Sequence, residues 1–326
     1  MSDFIGDCGP LVATNLDRCR ISENYLARVC ARAPHRVRSE QRSSRRDLPV
    51  KVDRSQRDRG AARGSPDHPG SSVNTLNVCA LGPTRYRDGL ALMDALVAAR
   101  AAGGTGDWLL YAEHEPVLTI GRNPSEGNVR AGAEALARAG VEVVEVPRGG
   151  DVTWHGPGQL VGYPVVALDR VGRDLHRWLR TLEDALIAAL REFGLEGQRI
   201  TGRTGVWLSE REKIASIGVA VRRWVGYHGF ALNVTNRLDH FALIHPCGFH
   251  DIRMTSVAEQ LGERAPSVAE VRSVVTAQLV ARLGFDGQCE VRAADVWTVA
   301  GIARAADTSK ESPGLDPGST GGSSAW

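Results

Sequence analysis

The sequence predicts an α+β fold, a mixed and largely antiparallel sheet flanked by helices. Three observations carry that prediction. Strand-like runs come in clusters with helices between them, not in strict strand–helix alternation. Three stretches repeat apolar residues at helical spacing. Both ends of the chain are poor in large apolar residues, which leaves one central block to supply the core.

The elements follow in chain order. Residues 31–72 are rich in Arg, Ser, Asp, Pro and Gly and cannot bury enough surface to offset chain entropy. Residues 1–72 are therefore expected to be a disordered basic extension, or sequence upstream of the true start. Residues 75–81 (TLNVCAL) read as a strand and 84–101 as an amphipathic helix. Strand-like runs follow at 108–114, 116–121 and 141–147, the last preceded by a short Ala-rich helix at 131–139. Residues 160–168 read as a further strand. A helix is expected over 174–193, with Leu175, Trp178, Leu179, Leu182, Leu186 and Leu190 on one stripe. Strands at 205–209, 213–221 and 228–234 come next, then a helix at 267–283. The domain is expected to span 73–285, with a mostly disordered Gly/Ser/Pro tail over 286–326.

Composition excludes several classes. The 326 residues are 42% hydrophobic and 24% charged, as in ordinary globular proteins. No apolar run approaches the length of a membrane span. The N-terminus lacks a basic segment followed by an apolar one, so no secretory signal is predicted and a cytoplasmic location is the default. Residues 1–72 hold 14 Lys/Arg against 9 Asp/Glu, while the remainder is net acidic. A nucleic-acid function would rest on that extension alone, which has little aromatic content and no recognised module. The six cysteines show no CxxC spacing, so each is read as a free thiol, and Cys79 as a core residue of the first strand. His240, His245, Cys247 and His250 fit no standard zinc pattern, and no metal or cofactor is expected.

Two features carry the chemistry. The stretch RGGDVTWHGPGQLVGYP (148–164) joins two strand-like runs, so it reads as a loop or strand edge. Its glycines permit close backbone approach to a ligand, and Arg148, Asp151, Thr153, His155 and Gln159 could orient one. It is neither a P-loop nor a dinucleotide-binding loop. The second feature is Lys213. Only three of the 40 basic residues are lysines, and Lys51 and Lys310 fall in the predicted tails. A lysine can give up its proton when its surroundings lower its pKa, whereas an arginine cannot.

The stretch 148–164 resembles the signature of the lipoyl(octanoyl) transferases. EHEPVLTIGR (113–122), KIASIGV (213–219), HGFALNV (228–234) and HPCGF (245–249) resemble further segments of that family, in the same order. The resemblance covers roughly residues 75–283 and implies a lipoate/biotin protein ligase-like catalytic domain. It implies that Cys247 is acylated and that Lys213 adjusts its protonation, since the thiolate is the nucleophile. It places the substrate against Arg148, Gly149, Gly150, Asp151, Val152, Thr153, Trp154 and His155, and against Ser216, Ile217 and Gly218. Gly229, Phe230 and Ala231 complete that set, and backbone N–H groups of either of the last two segments could stabilise an oxyanion. The implied partners are octanoyl-acyl carrier protein, and the lipoyl domains of 2-oxoacid dehydrogenase complexes and of the glycine cleavage H protein. The implied enzyme is a monomer that needs neither nucleic acid nor membrane. The alternatives are an ATP-dependent lipoate or biotin protein ligase, which needs no active cysteine, and a non-catalytic acyl-binding protein, which needs neither Cys247 nor Lys213. Arg222 and Arg223 read as a solvated strand end that could face an acidic carrier protein.

Overall fold

The computed structural model describes residues 74–124, 127–245 and 252–302. In chain order the elements are β1 (Thr75–Pro83), α1 (Tyr86–Ala101), β2 (Trp108–Glu113), β3 (Val117–Ile120), α2 (Ala133–Arg138), β4 (Glu142–Glu145) and β5 (Val152–His155). Next come β6 (Gln159–Ala167), α3 (Leu175–Glu192), β7 (Gln198–Ile200), β8 (Arg203–Trp207), β9 (Glu212–Arg222) and β10 (Val225–Asn233). The chain continues through β11 (Arg253–Met254), α4 (Val257–Leu261), α5 (Val268–Arg282), β12 (Gly287–Glu290) and α6 (Ala293–Val299).

The large sheet runs β12-β1-β2-β6-β10-β9-β8-β7, with β11 also paired to β9. The pairs β1–β12, β1–β2 and β9–β11 are parallel and the rest are antiparallel. The fold is thus α+β with a mixed, mostly antiparallel sheet. A second sheet of three strands, β4-β3-β5, carries the glycine-rich stretch.

Alternation along the strands splits the core in two. On β2, Leu109 and Tyr111 face one cluster, while Trp108, Leu110 and Ala112 face the other. The first cluster packs under α3 and α5, through Trp178, Leu182, Leu186, Val275 and Leu279. Each such large side chain contributes roughly 1.5–3 kcal/mol by leaving water. The second packs under α1 and α6, through Leu92, Met93, Leu96 and Trp297. Both long helices on the first face are capped. Asp174 accepts from the His176 and Arg177 N–H groups, and Ser267 and Glu270 form a capping box on α5. Cys79 lies fully buried in the second cluster, and that burial raises its thiol pKa to about 12.

The structure departs from expectation in two places. Folded chain continues past 285: β12 pairs with β1, and α6 covers the second cluster, so the tail from 286 begins as structure. Leu175 opens α3 but is exposed, outside the stripe assigned to it. Residues 152–155 form the strand β5 at an edge of the small sheet, the second of the two readings of that stretch, loop or strand edge. The expected extension 1–72 lies outside the described residues, as do 303–326.

Candidate active site

A pocket with about 460 Å³ of empty space, part of it open to solvent, lies between the glycine-rich stretch and the strands β9 and β10. Arg148, Gly149, Gly150, Asp151, Val152, Thr153 and His155 line one wall. Ser216, Ile217, Gly218, Gly229, Phe230 and Ala231 line the other. Tyr86, Val161, Tyr163 and His228, which the sequence reading did not single out, complete it.

Close packing of backbone brings the walls together. The Gly149 N–H donates to the Val219 carbonyl at 2.8 Å. A Cβ on Gly218 would lie 2.9 Å from both Arg148 Cδ and the Gly149 oxygen, so only glycine lets the loop rest on β9. Trp154 does not join the pocket. Strand alternation turns it away from Thr153 and His155, into a small core where it stacks on His240 at 5.1 Å.

The polar groups of the first wall are mostly held by neighbouring residues behind it. Arg148 donates through Nη2 to the Thr119 carbonyl (2.7 Å) and hydroxyl (2.8 Å), and through Nη1 to the Asp151 carbonyl (2.8 Å). The Asp151 carboxylate accepts from the Val152 N–H and from Asn128 Nδ2. His155 donates from Nδ1 to Gln159 Oε1 at 2.8 Å, which leaves Nε2 as the acceptor facing the Thr119 hydroxyl at 3.4 Å. Burial, more than the nearby charges, pulls the His155 pKa down to about 3, so the ring is neutral. The stacked Tyr86 ring lies 5.7 Å away. Behind it, His114 bridges the Thr84 carbonyl and the Tyr163 hydroxyl, with its pKa lowered to about 4 by burial.

A hydrogen-bonded line leads from this wall to Lys213. Gln159 Nε2 donates to Asn233 Oδ1 (2.9 Å), Asn233 Nδ2 donates to the Thr255 carbonyl (2.9 Å), and the Thr255 N–H donates to the Lys213 carbonyl (2.9 Å). Lys213 sits where β8, β9 and β11 meet, opposite Trp207 and Met254. It is fully buried, which is rare for lysine. A β-bulge aims it. Val206 faces Ala215 but Trp207 faces Lys213, so Ile214 is the extra residue. Ile214 and Ala215 both enter the core under α3 and α5. Lys213 is thereby turned to the face of β9 that carries Ser216 and Gly218. Its Nζ lies 5.1 Å from the Trp207 ring centre. Gly205, at φ 124°, makes room for the side chain, since a Cβ there would lie 2.7 Å from Lys213 Cε. Cys247 lies outside the described residues, between His245, whose N–H is held by the Asn128 carbonyl (2.8 Å), and β11.

Residues 85–280 match the family model described as the lipoyl protein ligase A/B catalytic domain. The chain belongs to that family. Among its relatives, an octanoyltransferase of Geobacter metallireducens is 51% identical over 195 residues, covering 60% of this chain and 87% of the relative. An octanoyltransferase of Myxococcus xanthus is 45% identical over 208 residues, covering 62% of this chain but only 58% of the relative. The chain thus spans little more than half of the latter's length. A solved lipoate-protein ligase A bound with ATP has the same fold: TM-score 0.59 at 20% identity, over 70% of this chain and 93% of that one. Among the described residues, no helix is long and apolar enough to cross a membrane.

Proposed function

We propose that this family member is an acyltransferase that moves an octanoyl group from octanoyl-acyl carrier protein to a lysine of a lipoyl domain, through a thioester on Cys247. The observation that carries the mechanism is Lys213, a fully buried lysine aimed by a bulge toward the pocket face of β9 and paired with the strand that follows the cysteine segment. The octanoyltransferase relatives at 45% and 51% identity support the acyl group and the reaction. The ligase reading has support only at the level of fold.

The first step exchanges one thioester for another. The Cys247 sulfur bonds to the carbonyl carbon, the carbon–sulfur bond to the carrier breaks, and the cysteine's proton passes by way of Lys213 to the departing thiol. A nearby ammonium favours the thiolate form of Cys247. In the second step the ε-amine of the acceptor lysine attacks the acyl-enzyme. A carbon–nitrogen bond forms, the carbon–sulfur bond breaks, and Lys213 relays the amine's proton to the sulfur. Thioester exchange is close to neutral and amide formation is downhill, so ATP has no part in it.

The pocket walls suit the acyl chain. Val161 and Ala231 offer apolar surface, while Gly149, Gly150 and Gly218 let backbone approach the thioester. The acceptors belong to 2-oxoacid dehydrogenase complexes and the glycine cleavage H protein, and the enzyme works as a cytoplasmic monomer.

The test is intact mass after mixing the protein with octanoyl-acyl carrier protein, without ATP. The expected result is a gain of one octanoyl group, mapped to Cys247 and discharged by a lipoyl domain. No adduct, with octanoylation of the lipoyl domain only from free octanoate and ATP, would move the function to a ligase.

A further inference from the structure

Glu183 lies on the buried side of α3, with Trp178, Leu182 and Leu186. It is 1% exposed, and a carboxylate is seldom buried so completely unless its oxygens are held. Arg180, three residues earlier and half-exposed, takes one oxygen at 2.5 Å. The other oxygen accepts the Gly205 N–H of β8 at 3.1 Å. That N–H needs an acceptor from outside the sheet. Register breaks on both sides of Gly205: β7 meets β8 at Arg203 and Trp207, and β9 meets it at Val206 and Trp207. Gly205 is in register with neither neighbour. Glu183 fills the place that the ladder leaves open.

Gly205 is also the backbone on which Lys213 rests. Val206 enters the core under α3, so Gly205 and Trp207, on either side of it, face away from the helix. The Lys213 side chain runs over them. Its Nζ lies 5.1 Å from the Trp207 ring centre, and a Cβ on Gly205 would stand 2.7 Å from Cε and 3.3 Å from Nζ. Glu183 therefore holds the Gly205 peptide from one side of β8, and Lys213 packs on it from the other. An amine that relays protons has to sit within hydrogen-bond reach of its partners, and a misplacement of about 1 Å can cost about a hundredfold in rate. We infer that Glu183 is a positioning residue for Lys213, acting through the Gly205 N–H. It is not among the residues that line the pocket, so its effect reaches the reacting atoms only by way of the lysine. This rests on the acyl-transfer reading above.

The test separates reach from charge in the full-length protein. Glu183→Asp keeps the charge but shortens the side chain by one methylene, which withdraws the oxygen from Gly205. Glu183→Gln keeps the reach and an acceptor oxygen but removes the charge. Glu183→Asp should lower kcat about tenfold or more with KM within about twofold, and should move the pH profile of Cys247 alkylation to higher pH. Glu183→Gln should keep kcat within about threefold and leave that profile in place. A residue that only supported the fold would lower the unfolding midpoint of Glu183→Asp and move neither kcat nor the profile, and that result overturns the inference. So does a loss of kcat in Glu183→Gln as large as in Glu183→Asp. Amide hydrogen exchange in the unsubstituted chain needs no variant to fold. The Gly205 N–H should exchange as slowly as the ladder amides of β9, and fast exchange also overturns the inference. An unsubstituted chain that forms no acyl-enzyme overturns the transferase reading and this inference with it. An acyl-enzyme that forms at the full rate in Glu183→Asp overturns this inference alone.

Discussion

The two walls of the pocket contrast in how their polar groups are used. On the glycine-rich side, Arg148, Asp151 and His155 are engaged with Thr119, Asn128, Gln159 and nearby backbone. On the β9–β10 side, Ser216 and His228 have no partner among the described residues, and the buried Lys213 lies three residues along the same strand. Both walls contain a buried histidine with a pKa near 3, yet one ring is tied at both nitrogens and the other at neither. A polar residue beside a ligand is therefore not automatically a residue that acts on it. The first wall holds a shape, and the second leaves Ser216 and His228 without partners among the described residues.

That contrast can be broken by variants, the strongest first. Cys247→Ser should remove the acyl-enzyme and lower turnover on the order of a thousandfold or more, read by intact mass and steady-state rate. Full turnover would remove covalent catalysis from the account. Lys213→Met should lower kcat by about 10²–10³. It should also move the pH profile of Cys247 alkylation to higher pH, because the thiolate loses its neighbouring cation. A profile that does not move would leave Lys213 without a role at the thiol.

Variants in the other wall should act on stability before rate. Arg148→Met strands the Thr119 and Asp151 carbonyls in a buried site, and about 2–4 kcal/mol of stability should be lost in urea unfolding. Unaltered stability with abolished activity would make Arg148 a substrate ligand and erase the contrast.

Acid should weaken both walls alike. His114, His155 and His228 have folded pKa values of about 4, 3 and 3, below the ordinary 6.5. Below pH 6.5 the unfolded chain takes up protons that the folded chain refuses. Stability is then full above pH 6.5 and falls as the pH drops toward 4, by about 1.4 kcal/mol per pH unit for each ring. A melting temperature flat from pH 7 to pH 5 would mean that the rings are not held neutral. The smallest effect belongs to neither wall: deletion of residues 1–72 should leave turnover within about twofold, since the family match begins at residue 85.

Much of this was legible in the sequence. The helices α1, α3 and α5 begin and end within two residues of their periodic stretches, because amphipathic spacing is a local signal. The short strands β7 and β11 carry no such signal and exist through pairing alone. The glycine-rich surroundings of β5 left it readable as either a loop or a strand edge. Read as a strand, 152–155 would have placed Trp154 opposite Thr153 and His155 from the start. The direction of Lys213 depends on a bulge that no spacing announces.

The parallel pairing of β1 with β12 has a consequence for the order of synthesis. Thr75–Val78 lie against Gly287–Glu290, and Asn74 bonds to Gly284 and Asp286, more than 200 residues later. A chain emerging from the ribosome makes β1 early and cannot close that edge until almost the whole domain has been translated. Until then β1 presents an unpaired strand edge to its neighbours. The last strand of the sheet thus acts as a clasp, and nascent chains stalled before residue 287 are the species that chaperones would need to shield.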